Sequence, residues 1–495
     1  MSIKFAPVYL LTLSFLVCQP AKADELSDLR VQLDKMAKKI QEIELSNKIN
    51  KKNQKSSADY IVRDSVFEEK LSERIQKIEL ENNELKITSK NSVKSGSMPG
   101  SFLIPGTDTS LKIYGYVKVD GIYSSRAPGG DASASYASSN FLAVPLKGTP
   151  IYKQGSEFAA TARESRFGID TQTVLPKGKI GTRIEADFYG SGSNFHLRKA
   201  YIDYVIGNHE FLFGQQGTIF ADGSSTDDSE TLDFGGITGT PGGRVPMVRY
   251  AYQFSPVVKF MIALEEPDTT YKDTSVFVSN LASEPYNYSL KALDSSSGNT
   301  VERMPDAIIH LKLGDEKAHI SFRGLVTQQS YDDTVYKKRI WGYGVAHSGH
   351  YTFSNNDNIA YDVIYGNALD GWMDAGIGAI LDTTTDPQKK NFFLQNNLGI
   401  AASYKHMWTN SLRSTLGLGM LRTYNKGIMK SLQVNRFVRD LHINLVESPV
   451  KNLDVGMEYA VGERHVEKAR QIPGLTTISD VGVTHRFQIS AKYSF

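Results

Sequence analysis

Nine basic side chains share one kind of setting: Lys112, Lys118, Arg166, Arg183, Arg249, Lys259, Arg323, Arg413 and Arg486. Each falls on the polar side of a stretch in which apolar and polar residues alternate. A guanidinium is a planar fork of donors that matches a carboxylate, and a ladder of such forks holds an anion weakly enough to release it. The neighbouring acids offer a second reading. Glu164 and Arg166, Arg183 and Glu185, and Lys118 and Asp120 stand two apart on the same face, as in a wall that neutralises its own charge. Both readings remain open at this stage.

Carboxylates gather in the glycine-rich stretch Ala221–Arg244, "ADGSSTDDSETLDFGGITGTPGGR", as Asp227, Asp228, Glu230 and Asp233. Their spacing is irregular for a calcium loop, and a solvated surface loop is the plainer alternative. There is no HExxH and no phosphate-cradling glycine loop ahead of a helix. His347 and His350 are three apart, which on a strand puts them on opposite faces. No catalytic residue, cofactor or metal is expected.

The elements that carry the nine cations repeat with period two. In "LKIYGYVKVDG", Leu111, Ile113, Val117 and Val119 oppose Lys112, Tyr114, Tyr116, Lys118 and Asp120. The same pattern returns around Phe167, Ile184, Ile262, Phe322 and Met457, in segments of roughly nine to eleven residues, the length a tilted strand needs to cross a bilayer. About sixteen such strands begin near residues 111, 164, 179, 196, 210, 247, 257, 306, 318, 340, 357, 396, 411, 440, 452 and 483. With no helices to cover them, single-faced strands on this scale can bury their apolar faces only against lipid. The fold class is therefore an all-β transmembrane barrel of antiparallel strands over 110–495. Turn-sized connections ("LPKGK", "VIGNHE", "LGDEK", "SNND", "ESPVKN") alternate with long ones at 127–156, 221–244, 267–304 and 366–391. Segment 195–206 alternates poorly.

Composition agrees with a barrel: 25 Tyr, 23 Phe and 41 Gly against 3 Trp, with negative mean hydropathy. Residues 1–23 read as a secretory signal peptide, basic then apolar, ending in Ala21-Lys22-Ala23. Its removal takes away the only cysteine, Cys18, and with Lys4 and Lys22 lowers the formal charge from +2 to 0, which leaves global charge no argument for nucleic acid.

Residues 24–87 follow a heptad instead. Leu26, Leu33, Ile40, Ile61 and Ile75 fall at position a and Leu29, Met36, Ile43, Leu71, Ile78 and Leu85 at d, with a polar middle between Asn47 and Glu68. This reads as an N-terminal α-helical coiled coil in two segments, and isoleucine at both positions leans toward three strands. Residues 88–109 then form a linker.

The stretches "IPGTDTSLKIYGYVKVD", "ARESRFGIDTQT", "LDFGG" and the terminal "KYSF" together resemble the DcaP-like family of trimeric outer-membrane porins, which join a coiled coil to a sixteen-stranded barrel. The resemblance implies passive uptake of small, often anionic solutes such as dicarboxylates, a homotrimer in outer-membrane lipid, and a coiled coil in the periplasm. In porins of this shape a loop folds inward as a constriction; here that would be 221–244, with Asp227, Asp228, Glu230 and Asp233 facing the arginines across a transverse field. The last strand, "HRFQISAKYSF", puts Tyr493 and Phe495 on the lipid side, and its final phenylalanine resembles the signal read by the β-barrel assembly machinery. An alternative makes the barrel a membrane anchor and the helical front an envelope-spanning tether that contacts peptidoglycan, on the order of 95 Å long at about 1.5 Å per residue.

Overall fold

The computed structural model describes residues 35, 37–45, 69–83, 94–126, 141–190, 194–223, 230–267, 271–274, 299–369, 371–373, 378–383, 390–469 and 477–495. The signal segment 1–23 and the acids Asp227 and Asp228 lie outside them. Two units divide near residue 90. In the first, 37–45 and 69–83 are helical, and the seam residues Ile40, Ile43, Ile75 and Ile78 are exposed.

In the second unit the alternating stretches are strands: β1 (Thr109–Ser124), β2 (Arg166–Leu175, prolonged by the short strand Glu157–Thr161), β3 (Gly178–Asp187), β4 (His196–Ile206), β5 (His209–Gly217), β6 (Arg244–Ser255), β7 (Val258–Glu265) and β8 (Asp306–Gly314). The series continues with β9 (Ala318–Asp332), β10 (Lys337–Thr352), β11 (Asn358–Asn367), β12 (Asn396–Met407), β13 (Leu412–Tyr424), β14 (Asn435–Val450), β15 (Leu453–Val466) and β16 (Val481–Ser494). Each pairs antiparallel with the next. The sheet holds 18 strands when Phe102–Leu103 and Glu157–Thr161 are counted; both lie against β1, so sixteen form the closed barrel.

Closure is between β16 and β1, with Tyr116 opposite Ser494 and Ser124 opposite Arg486. The backbone of Phe495 completes the seam by exchanging two hydrogen bonds with Gly115, at 3.0 and 3.2 Å. On β16 Phe487, Ile489, Ala491, Tyr493 and Phe495 are exposed on the outer face while Arg486, Gln488 and Ser490 are buried inside. A one-residue slip would put Arg486 into hydrocarbon at about 2–4 kcal/mol near the midplane, so the register is strongly set.

Tight connections collect at one end of the barrel: Pro176-Lys177, Gly207-Asn208, Pro256-Val257, 315–317, 353–357, 408–411 and Lys451-Asn452. The long ones lie at the other end, with a short exception at 333–336 between β9 and β10. The end of the linker is more structured than its polar sequence suggests. Leu103 N donates to Lys94 O, Gly96 N to Ser101 O and Ser97 N to Ser110 Oγ, so residues 94–103 turn back onto β1.

The inner face is not polar all round, as the alternation led one to expect. Across β5–β13 it carries Leu212, Met247, Ala251, Met261, Ala263, Ile308, Leu325, Ala346, Ile364 and Leu421, all buried in one cluster with Ile219, Phe220, Leu369, Trp372 and Met373. Those last five belong to connections that enter the barrel, and they supply the apolar partner this half of the wall needs. A second inward segment, Phe141–Ala143, packs Phe141 on Val438 and Ala460. Gly462 makes room for that ring: a Cβ there would stand 1.8 Å from Phe141 Cδ1.

Candidate functional site

After Gly217 the chain turns into the barrel, and its described residues are fastened to the wall on both arms. Ile219 N donates to Glu265 Oε1 (2.9 Å) and Arg323 Nη1 to Phe220 O (2.7 Å). Asp222 Oδ2 accepts from Ser348 Oγ (2.7 Å) and Ser321 Oγ (3.0 Å) and lies 2.8 Å from His319 Nε2. The returning arm crosses to the opposite strands. Asn444 Nδ2 donates to Glu230 O, Leu232 N to Glu458 Oε2 (2.7 Å) and Thr238 N to Asp440 Oδ2 (2.9 Å). Lys118 Nζ and Gln488 Nε2 both donate to Leu232 O, at 2.6 and 2.8 Å.

Backbone freedom at two glycines makes this path possible. In "FGG" and "PGG" the second glycines, Gly236 (φ 66°) and Gly243 (φ 119°), take the left-handed conformation. The wall yields space in turn: a Cβ on Gly399 would meet Gly239 O at 2.4 Å. The described parts of 218–243 therefore run inside the barrel.

Glu230 and Asp233 do not face the arginines across a gap; they bind them. Arg413 Nε lies 2.9 Å from both Glu230 oxygens and its Nη2 3.3 Å from Asp454, while Arg486 Nε lies 2.7 Å from Asp233 Oδ2. Within the described residues the loop acids are thus committed to fastening the loop. Arg323 is likewise committed, forking onto Asp362 at 2.9 and 3.0 Å. Lys118 contacts Glu164 and stands 3.6 Å from Asp120. Arg249 and Lys259 share Glu210, the latter at 2.8 Å.

Pairing runs across strands more than along them. Arg183 forks onto Asp170, its register partner on β2, at 2.6 and 2.7 Å rather than onto Glu185. Directly opposed side chains stand about 5 Å apart, nearer than residues two apart on one strand. Lys112 faces Asp170 in register from β1 and is half-buried.

The wall β1–β4 carries a cluster that period two did not reveal. Between Glu185↔Lys199 and Ala186↔Leu197 the register skips Arg198, a β-bulge that turns both Arg198 and Lys199 toward Glu185. Glu185 Oε1 lies 3.3 Å from Arg198, 3.6 Å from Arg166 and 3.8 Å from Lys199, and its Oε2 accepts from Tyr114 Oη (3.1 Å). Arg198 also binds Asp187. Arg166 and Arg183 stack over Tyr116 and Tyr114 at 5.2 and 5.4 Å.

Exposure within these pairs is lopsided. The side chains of Arg183 and Asp170 are 33% and 12% exposed, those of Arg166 and Glu185 21% and 4%, and Lys199 is 30% exposed against the same Glu185. The cations meet the open interior and the carboxylates lie against the wall. At Arg413 the order reverses, 14% against 29% for Glu230. The poor alternation of "FHLRKAYIDY" was the only trace of this bulge in the sequence.

A closed antiparallel barrel of sixteen strands with a loop folded into its interior defines an outer-membrane porin channel. The family model described as DcaP outer membrane protein matches residues 42–482, and the chain belongs to that family. Family and fold are those of channels rather than enzymes. Comparison with curated proteins gives no match. Among solved structures, the outer membrane channel DcaP of Acinetobacter baumannii is 22% identical with a TM-score of 0.61, over 81% of this chain and 100% of that one. An anion-selective porin from Comamonas acidovorans is 10% identical, TM-score 0.49, over 78% and 100%. OmpT of Vibrio cholerae in a trimer form is 11% identical, TM-score 0.46, over 79% and 100%.

Proposed function

We propose that this porin is a passive diffusion channel for small hydrophilic anions of the dicarboxylate type, and that its preference is set on the wall β1–β4. The observation that carries this reading is the orientation of the ion pairs there: Arg166, Arg183 and Lys199 are the exposed partners and Asp170 and Glu185 the buried ones. A permeating carboxylate meets guanidinium and ammonium groups first, in a passage narrowed by the apolar fill against β5–β13 and by the loop hung on Glu458 and Asp440. Lys112 extends the same potential on β1, and Arg249 and Lys259 carry it onto the neighbouring strands β6 and β7. Asp227 and Asp228, as neighbours of Glu230, fall on the constriction loop in this reading.

The channel works as a homotrimer with its tight turns toward the periplasm and its long connections outside. The helical front, with Ile40, Ile43, Ile75 and Ile78 exposed in the single chain, forms the periplasmic coiled coil that joins three copies. Tyr493 and Phe495, on the closing strand, are the residues presented to the assembly machinery. The same helices suit a second role as a spacer toward peptidoglycan; deleting residues 24–95 separates the two, since a channel keeps its conductance and a tether loses its envelope phenotype. Reconstitution in planar bilayers tests the first reading: conductance in steps of three is expected, and a silent barrel contradicts it.

A further inference from the structure

The outer face of β13–β15 does not stay apolar up to the loop end. On β13 Arg422 points outward between Leu421 and Thr423, which are buried inside, and on β14 Arg439 points outward between Val438 and Asp440. Arg422 stands opposite Phe437 in register, and Arg439 stands opposite Met420 and Glu463, so the two arginines are diagonal neighbours across the β13–β14 pair. Such neighbours stand roughly 7–8 Å apart, close enough for both guanidinium forks to close on one phosphate. Rings steady them from below and beside: Arg439 lies over Phe437 at 6.0 Å and Arg422 over Tyr424 at 5.2 Å.

The charge of this patch is not balanced by the protein. Glu463 accepts from Arg439 Nε at 2.7 Å with one oxygen and lies 2.7 Å from His465 Nε2 with the other, so both of its oxygens are engaged. Arg422 forms no ion pair among the described residues, and the Arg439 side chain keeps 59% of its surface exposed. Depth makes the excess costly. Arg422 shares a cross-strand row with Leu398 and Tyr365, one row inside Tyr424 and Asn396, and Arg439 lies in the next row toward the middle with Met420 and Ile400, about 7 Å further in. A cation on the lipid face is tolerated near the interface and penalised below it. Beneath the arginines the outer surface is apolar, with Leu416, Leu418, Ile443, Leu445 and Met457 exposed. An anion above and hydrocarbon below is the pattern of an acylated lipid with a phosphate headgroup; a free phosphate ion would use only the upper half.

We infer that the outer face of β13–β15 at the loop end is a binding site for a phosphate-bearing acylated lipid, its phosphate clasped by Arg422 and Arg439 and its chains laid over Leu418 and Ile443. The site stands on the outside of the barrel and takes no part in the passage, so it is independent of the proposed anion preference.

Full-length protein refolded into detergent without native lipid tests the site, with diphosphoryl lipid A, its dephosphorylated counterpart and inorganic phosphate as probes. Lipid A is expected to bind about tenfold or more tighter than the dephosphorylated form, and inorganic phosphate at the same concentration is expected not to displace it. Arg422→Gln with Arg439→Gln brings the affinity for lipid A down to that of the dephosphorylated form. Arg422→Gln alone breaks no ion pair of the protein and is expected to lose part of the phosphate preference in an intact barrel, as judged by retained heat-resistant migration on gels. Lys177→Gln, the same charge change in the β2–β3 turn, leaves binding unchanged, and the reversal potential of the arginine variants stays at the wild-type value. Equal affinity for the two lipids, a phosphate preference that survives in folded Arg422→Gln or in the double variant, or displacement by inorganic phosphate overturns the site.

Discussion

Asp233, on the loop inside the barrel, reaches Arg486 of the closing strand, with Oδ2 2.7 Å from Nε and both side chains buried. Removing one member of such a pair leaves an uncompensated buried charge, at about 3–5 kcal/mol. Asp233→Asn and Arg486→Gln are each expected to destabilise the barrel by that order in urea unfolding, and the double variant by clearly less than the sum. Simple additivity would mean that the two side chains are not coupled.

Glu458 is the second fastening. It accepts from Leu232 N at 2.7 Å and lies 3.0 Å from His442 Nδ1. Glu458→Ala deprives the loop of an acceptor, and single-channel recordings should show larger and noisier conductance. A conductance equal to the wild type would place the narrowing elsewhere.

A substitution that crowds the loop from the wall should act in the same direction as Glu458→Ala. Gly399→Ala directs a methyl group at Gly239 O, 2.4 Å away, so the loop must shift or the strand must give, at about 1–3 kcal/mol. Raised conductance with an intact barrel is expected; an unchanged current with unchanged stability would contradict the docked loop.

Asp357 closes the β10–β11 turn and is held by the Tyr404 hydroxyl (2.6 Å), Met407 N–H (2.9 Å) and His406 (2.9 Å), which keep its carboxyl well below the usual carboxylate range. Because the folded pKa is depressed, the stability it contributes is fully present above the ordinary aspartate value near about 4 and is lost as pH falls through the lower folded value. Asp357→Asn should therefore lower the thermal midpoint at neutral pH and flatten its decline in acid. A variant with the same acid profile as the wild type would count against this.

How far the sequence revealed this molecule differs from one residue set to another. The strands were legible because lipid demands an apolar outer face at every second residue, and β1 and β16 follow that over most of their length, with His485 as a polar exception on β16. The tight turns followed from polar, glycine- or asparagine-bearing gaps such as Lys451-Asn452, where Asn452 takes a positive φ of 68°. Pairing partners were not legible. Arg183 lies two residues from Glu185 in sequence but binds Asp170 across the sheet, and only register decides that. The apolar inner wall of β5–β13 was hidden for a related reason: Met261 and Ala263 are buried in one cluster with Phe220 and Trp372, which arrive from distant connections. The Arg198 bulge, which turns Arg198 and Lys199 toward Glu185 beside Arg166, showed itself only as a lapse in alternation.

The reversal potential of the purified protein in a planar bilayer under a salt gradient bears most directly on the function. Anion selectivity is expected, and Arg166→Gln, Arg183→Gln and Lys199→Gln together should move the potential toward zero while the barrel remains folded. Cation selectivity in the wild type, or a potential that the triple variant leaves unmoved, would contradict the assignment of selectivity to the wall β1–β4.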